Sequence, residues 1–354
     1  MRLGLPATAE TPAGSRSVPA DQASYAGLHP GDTLDERFLI TETISRGGMA
    51  TVFKAEDLHN HRQPVAIKVP HEMYASGLGA WSRATREEEI GSRLNHPRIL
   101  RFVPVPGRQR GAYVVTEYLR GVTLAERLAR ARPLPEQDAL AVARGVCEAI
   151  EYLHEQGVVH YDLKPGNVML CDDGSIRLLD FGLAQPIEDH RFRLSSAPPA
   201  MGTTDYVAPE QIQRKRGRPS ADIYSLGAML YEMLTGTAPF PGDDPFVIGS
   251  QRLTGDPIAP RQLNPSLSPQ VEEIILRAMQ RDPARRYPTA AAMKTDLETP
   301  DQVRVTGLRD RLQPSTRWRR NWRRVRWFAL CVVLPIAIQV GLYAFIWWHF
   351  RGKR

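Results

Sequence analysis

The stretch HYDLKPGNVML, residues 160–170, decides how this chain is read. It sets three polar side chains at fixed offsets: Asp162, Lys164 and Asn167. A carboxylate can accept a hydroxyl proton, an ammonium two residues on can hold a transferring phosphate, and an amide three further on can ligate Mg²⁺. Asp180 follows in LLDFGLA and adds a second hard oxygen ligand. Between them the pattern predicts a β-hairpin: apolar 168–170, a turn over 171–175, then a second mainly apolar run over 176–179. A hairpin of that length returns Asp180 to the end of the ribbon that carries Asn167, where one metal ion could touch both.

HxDLKPxN followed by DFG resembles the corresponding segments of the protein kinases, above all the bacterial serine/threonine kinases of eukaryotic type. Motifs similar to the family's run in its order from Phe38 to about Leu297, roughly three quarters of the chain. The resemblance implies an α+β, two-lobed fold over 35–298, with a small β-rich N-lobe and a larger helical C-lobe. It implies ATP and Mg²⁺, and Ser/Thr hydroxyls of proteins as acceptors. Asp162 would be the base, Lys164 would steady the γ-phosphate, and Asn167 and Asp180 would hold the metal. Lys164 after Asp162 is similar to the serine/threonine branch rather than the tyrosine branch.

Residues 38–55, FLITETISRGGMATVFKA, predict strand, tight loop, strand. The family's glycine-rich loop, GxGxxGxV, would lie here, its backbone N–H groups close to the phosphates. Ser45, Gly47, Ala50 and Val52 occupy those places, so two of the three glycines are replaced, and Gly48 is an extra small residue. The resemblance also assigns Ile44, Ala66 and Met169 to the nucleotide site. Lys68 interrupts the apolar strand VAIKV, 65–69. A lysine in such a strand ordinarily lies at an edge facing solvent; the resemblance has it hold the α- and β-phosphates and pair with a helix carboxylate. Glu87, Glu88 and Glu89 compete for that pairing on a helix expected over 81–94. Counting back from Asn95-His96-Pro97 as the family does favours Glu87.

The largely apolar run 112–119 would be the last N-lobe strand and the hinge. Thr116 would lie behind the adenine, and the backbone of Glu117 and Leu119 would bond its edge. Thr123 is a candidate N-cap. Apolar residues at helical spacing from Ala139 to Leu153 predict a core helix over 136–156, stopped by Gly157. The resemblance makes His160 a packing residue near DFG. It also exposes a departure: Tyr161 stands where many members carry an Arg that pairs with an activation-loop phosphate. Tyr cannot make that bidentate pairing, which leaves open whether loop phosphorylation is the on-switch. The activation segment, 183–207, holds Ser195, Ser196, Thr203 and Thr204. GTTDYVAPE, 202–210, is similar to the segment that seats the acceptor, with Thr203 toward Asp162 and Lys164. Glu210 is expected to pair with Arg286 as a fold anchor. Asp222 would either cap its helix or brace the catalytic loop.

The 354 residues carry a net charge of +7, unevenly. Residues 301–354 hold twelve Lys/Arg against two Asp/Glu, so that tail is +10 and the other 300 residues are −3. The folded part therefore gives no nucleic-acid signal. Three cysteines without metal-like spacing fit a reducing compartment. Residues 1–34, rich in Ala, Pro, Ser, Thr and Gly, predict a disordered leader, and no signal peptide is evident. At the other end, 327–348 are 22 residues without a charge, bounded by Trp327, Trp347 and Trp348. That length spans a bilayer as helix; a buried core helix is the competing reading. Arg317, Arg319, Arg320, Arg323, Arg324 and Arg326 precede it, interleaved with Trp318 and Trp322. The positive-inside bias puts the kinase domain in the cytoplasm and 349–354 outside. The Arg/Trp run, within a linker expected over 299–326, suits anionic lipid heads more than nucleic acid. Pro335, Gln339 and Gly341 are tolerable in such a helix and compatible with a helix–helix contact and a homodimer. The altered glycine loop and Tyr161 leave one alternative, a pseudokinase acting as a membrane-bound interaction module.

Overall fold

The computed structural model describes residues 17–18, 27–48, 50–71, 78–107, 113–187, 205–213, 215, 218–242 and 244–313. β1 (Ser17–Val18) pairs in parallel with β2 (Thr33–Leu34). Beyond them β3 (Phe38–Arg46), β4 (Ala50–Asp57), β5 (Gln63–Pro70) and β6 (Val114–Glu117) extend one antiparallel sheet in chain order. Burial alternates along β4 and β5, as a sheet with one packed face requires. Phe53, Ala55, Val65, Ile67 and Val69 point into a core with Phe38, Ile40, Tyr113 and Val115. Val52, Ala66 and Lys68 fall on the opposite face by the two-residue period. Asp57 is buried at the end of β4, and Arg37 grips it through Nε and Nη2 at 2.8 and 2.7 Å.

The fold begins earlier than the leader reading allows. Leu28 and Leu34 are buried in that core, and Gly31 and Ile40 bond the two edges together. Two leucines among small polar residues show no periodicity, yet they suffice to dock a short segment. The helix expected over 81–94 is α1 (Leu78–Gly91). It gives way to turns at Gly91, where a Cβ would lie 2.2 Å from the Phe102 ring.

The C-lobe opens with β7 (Gly121–Thr123) and α2 (Leu124–Arg130). Thr123 caps α2, and Glu126 completes a capping box. Then come α3 (Glu136–Glu155), β8 (Val158–Val159), the hairpin β9 (Val168–Cys171) and β10 (Ile176–Leu178), and β11 (Gln185–Pro186). α4 (Pro209–Ile212), α5 (Pro219–Thr235), α6 (Pro245–Thr254), α7 (Pro260–Leu263), α8 (Pro269–Ala278) and α9 (Ala290–Glu298) complete the lobe. α5 is buried from Ala221 to Leu234 and is apolar nearly all round, which places it at the centre. α3 and α8 pack on it, and α9 lies on α3.

The polar linker expected after Leu297 is, as far as residue 313, part of the lobe. Buried Glu273 accepts from the Thr306 amide and hydroxyl at 3.0 and 2.5 Å. The Gln313 amide reaches Asp256 at 2.8 Å. Composition could not reveal this, because the partners are carboxylates far back in the chain, Glu273 on α8 and Asp256 just after α6. Among the described residues no helix is long and apolar enough to cross a membrane; the run 327–348 lies outside them, as do 1–16, 19–26 and the Arg/Trp run.

Candidate active site

The catalytic-loop residues are held by one buried carboxylate on α5. Asp222 Oδ2 accepts from the His160 amide at 2.9 Å, and Oδ1 from the Tyr161 amide at 2.9 Å. His154 Nε2 on α3 also lies 2.9 Å from Oδ2. This matters because Tyr161 sits at φ +63°, a conformation a bulky side chain adopts only when its surroundings impose it. Of the two expected roles for Asp222 the structure shows bracing; Arg218 occupies the N-cap position. His160 lies edge-on to Phe181, ring centroids 5.5 Å apart, with Nε2 3.1 Å from the Leu179 carbonyl.

Asp162 follows, half-buried, and one of its oxygens is clamped. Lys164 Nζ donates to Oδ2 at 2.7 Å and Asn167 Nδ2 at 3.1 Å. Asn167 Nδ2 also donates to the Asp162 carbonyl at 2.8 Å, which fixes the amide's orientation and leaves its oxygen as the open end. Among the described residues nothing donates to Asp162 Oδ1. Burial pushes the Asp162 carboxyl up, with Lys164 working against it and Asp180 adding to it. A raised carboxylate is a better proton acceptor, and its free oxygen is where a hydroxyl could deliver one.

β9 and β10 pair Leu178 with Val168, Arg177 with Met169 and Ile176 with Leu170. The Leu179 amide bonds the Asn167 carbonyl at 2.8 Å, so Asp180 and Asn167 share one end of the ribbon. Asp180 has φ +57°, tolerable for an aspartate. Its Oδ1 accepts from the Gly182 amide at 3.0 Å and lies 3.1 Å from Lys68 Nζ. Lys68 in turn donates to Glu87 Oε2 and Oε1 at 2.8 and 3.0 Å. Of the three competing carboxylates, Glu87 is the one on the buried face of α1 that meets Lys68.

Two carboxylates therefore share one ammonium. Burial and the nearby Asp180 charge push Glu87 up to about 7 despite Lys68. Asp180 goes the other way: burial raises it, but Lys68, the Gly182 amide and Lys164 outweigh that and hold it below the usual carboxylate range. Burial would lower Lys68, yet Asp180 and Glu87 raise it, so it stays charged. The donor set suits Mg²⁺, which takes one or two protein oxygens and leaves the rest of its octahedron to phosphate and water. Asn167 Oδ1 and the second oxygen of Asp180, whose side chain is 36% exposed, are such a pair. No cluster of three or more His, Cys, Asp or Glu that could hold a metal ion occurs among the described residues.

The loop between β3 and β4 is a tight turn in which the Gly47 amide bonds the Ala50 carbonyl at 2.9 Å. Ser45 pairs with Val52, Val52 with Lys68, and Ala66 with Thr116, so these side chains line one strip of sheet. Ile44 is 45% exposed and Gly48 has open space around it. Met169 and the hinge residues Glu117 and Leu119 are half-buried at the junction of the lobes. Gly121, at φ +145°, lets β7 run within reach of β9; a Cβ there would sit 2.1 Å from the Leu170 carbonyl. Glu210 and Arg286 form a buried bidentate pair, both bonds 2.7 Å. Ser195, Ser196, Thr203 and Thr204 lie outside the described residues. Sequence reasoning missed His154, which bonds the Asp222 carboxylate, and Ser225 and Arg252, which bond backbone carbonyls of 205–207; a polar residue within an apolar helix was the available signal.

Residues 38–297 match the protein kinase domain model. The chain is 35% identical over 268 residues to the serine/threonine-protein kinase PknB of Mycobacterium tuberculosis, covering 75% of this chain and 43% of that one. It is 32% identical over 288 residues to PknB of Mycolicibacterium smegmatis, covering 77% and 45%. Against serine/threonine-protein kinase PknL of M. tuberculosis it is 36% identical over 265 residues, covering 75% and 66%. The chain thus spans less than half the length of the PknB proteins it matches. With the two-lobed fold and the loop geometry above, these matches establish that the chain belongs to the protein kinase family, among the bacterial serine/threonine kinases of eukaryotic type.

Proposed function

We propose that the protein transfers the γ-phosphate of ATP to serine and threonine hydroxyls of proteins, its own chain included, from the cytoplasmic face of a membrane. The observation that carries the transfer is the convergence of Lys68, Asp162, Lys164, Asn167 and Asp180 from both lobes. Lys68, kept charged and aimed by Glu87, binds the nucleotide phosphates. Lys164 steadies the γ-phosphate. Asp162 orients the acceptor hydroxyl and takes its proton on Oδ1. Asn167 and Asp180 hold Mg²⁺, which neutralises charge on the phosphates when bound. The sheet face carrying Val52 and Ala66 lies over the adenine, and the backbone of Glu117 and Leu119 bonds its edge.

The membrane reading rests on the uncharged run 327–348 and the arginines before it, with the aromatic belt and positive-inside bias as support. Two such helices in contact would bring two kinase domains together, an arrangement suited to autophosphorylation. The replaced glycines at Ser45 and Ala50 do not favour the interaction-module reading, since that loop keeps its tight turn and the phosphate-facing groups are all present.

Asp162→Asn tests the assignment. The variant is expected to bind ATP with wild-type affinity and to lose transfer by roughly 10²–10⁴-fold, read with labelled ATP and a generic basic protein. Wild-type-like autophosphorylation in that variant would sink the role of Asp162.

A further inference from the structure

A buried arginine outside the cluster described above holds the end of the activation segment from behind. Arg252 lies in the last turn of α6 and is 1% exposed. Its Nη2 donates to the Asp205 carbonyl at 2.6 Å and its Nη1 to the Val207 carbonyl at 2.8 Å. The carbonyl between them, Tyr206, accepts from Ser225 Oγ on α5 at 2.8 Å. Three consecutive carbonyls are thus turned inward onto two buried side chains from two helices. The Tyr206 hydroxyl meets Glu232, two turns further along α5.

The same stretch is tied to the catalytic loop. Gln211 Nε2 donates to the Tyr161 carbonyl at 3.1 Å, and its Oε1 accepts from the Ala208 amide at 3.0 Å. Tyr161 directly precedes Asp162. A short series of hydrogen bonds therefore runs from α6 through 205–211 to the base. A guanidinium is an expensive group to bury, and an apolar side chain would fill the volume without that cost. Its planar fork does what an apolar group cannot, reaching two carbonyls two residues apart at once. The Phe240 ring, 5.5 Å from the guanidinium carbon, covers the other side.

We propose that Arg252 is a positioning residue for the protein acceptor: by holding the Asp205 and Val207 carbonyls it sets the backbone floor on which the acceptor chain lies, at a fixed height from Asp162. Because these contacts are made by unmodified groups, that floor is ordered without a phosphate, consistent with Tyr161 being unable to pair with one. The inference rests on the kinase reading above.

The test compares the full-length wild type with Arg252→Ala, Arg252→Lys and Ser225→Ala. For each, KM and kcat are measured with a generic basic protein as acceptor, alongside KM for ATP and the slow hydrolysis of ATP with water as acceptor. Arg252→Ala is expected to raise KM for the protein acceptor roughly tenfold or more, leaving KM for ATP and ATP hydrolysis near wild type. Arg252→Lys, able to reach one carbonyl, is expected to recover part of the loss, and Ser225→Ala to move KM in the same direction by less. An unchanged acceptor KM in Arg252→Ala would overturn the inference. So would parallel loss of ATP hydrolysis and transfer in both Arg252 variants, which would make Arg252 a support of the fold alone. A wild type that phosphorylates no protein would instead sink the kinase reading, and this inference with it.

Discussion

At the residue scale the centre of the site is an unequal sharing of charge. Lys68 stands between Glu87 and Asp180, and the two carboxylates diverge: Asp180 keeps its charge with help from the Gly182 amide, while burial pushes Glu87 up to about 7. Below that pH Glu87 takes a proton, and the attraction that aims Lys68 is lost. KM for ATP is therefore expected to rise as pH falls from 8 to 6, read by steady-state kinetics at fixed acceptor. A flat KM over that range would place the Glu87 titration elsewhere. The stability sign is the opposite. Between the ordinary value of 4.5 and about 7 the native state binds more protons at Glu87 than the unfolded chain does. Glu87 thus contributes stability that falls as pH rises through that window. Lys68 and Asp180 titrate outside it, above and below respectively. Acidification should weaken nucleotide use before it weakens the fold.

At the element scale, loops that carry chemistry are tied to helices that carry none. Asp222 on α5 holds two successive amides of the catalytic loop, and Arg286, beyond α8, holds Glu210 on α4. The Arg286 side chain is wholly buried and also donates to the carbonyls of Gln280 and Ser220. Removing its carboxylate leaves an uncompensated buried cation, so Glu210→Ala is expected to cost about 3–5 kcal/mol of stability. Urea denaturation of variant and wild type checks it; a loss below about 1 kcal/mol, the range of an exposed pair, would show that the pair is solvated. Much of this level was legible. Asp162, Lys164 and Asn167 lie within six positions, and the hairpin that returns Asp180 follows from an apolar–turn–apolar pattern, so local geometry alone brings those groups close. The choice among Glu87, Glu88 and Glu89 was not local, because adjacent residues on a helix differ only in which way they face.

At the scale of the whole molecule, the domain is larger at both ends than its motifs. Residues 27–34 close the N-lobe core, and 300–313 are strapped across α8 through buried Glu273. Ending the chain after residue 298 would strip that carboxylate of three donors, at an expected cost of about 1–3 kcal/mol. Ending it after residue 313 would keep them. The shorter chain should therefore melt lower by roughly 2–4 °C per kcal/mol, measured by scanning calorimetry; equal melting temperatures would mean that the strap contributes nothing. The strap also bears on the membrane reading. If the uncharged run crosses a bilayer as proposed, the stretch 314–326 before it could reach at most about 45 Å, which would keep residue 313 close to the bilayer.

The amino-acid sequence by itself determined the short-range chemistry, because it rests on residues a few positions apart whose spacing the backbone converts directly into proximity, and it carried the family and the order of the lobes through motifs that resemble those of the protein kinases. Counting back from Asn95 favours Glu87 as the partner of Lys68, and the structure pairs the two; tertiary structure alone decided that Asp222 braces rather than caps, that Arg252 and Ser225 hold three carbonyls, and that residues 27–34 and 300–313 belong to the folded domain. Those outcomes join residues about 20 to 60 positions apart, and they depend on helix phase and on buried backbone groups seeking partners, neither of which leaves a mark in the linear pattern.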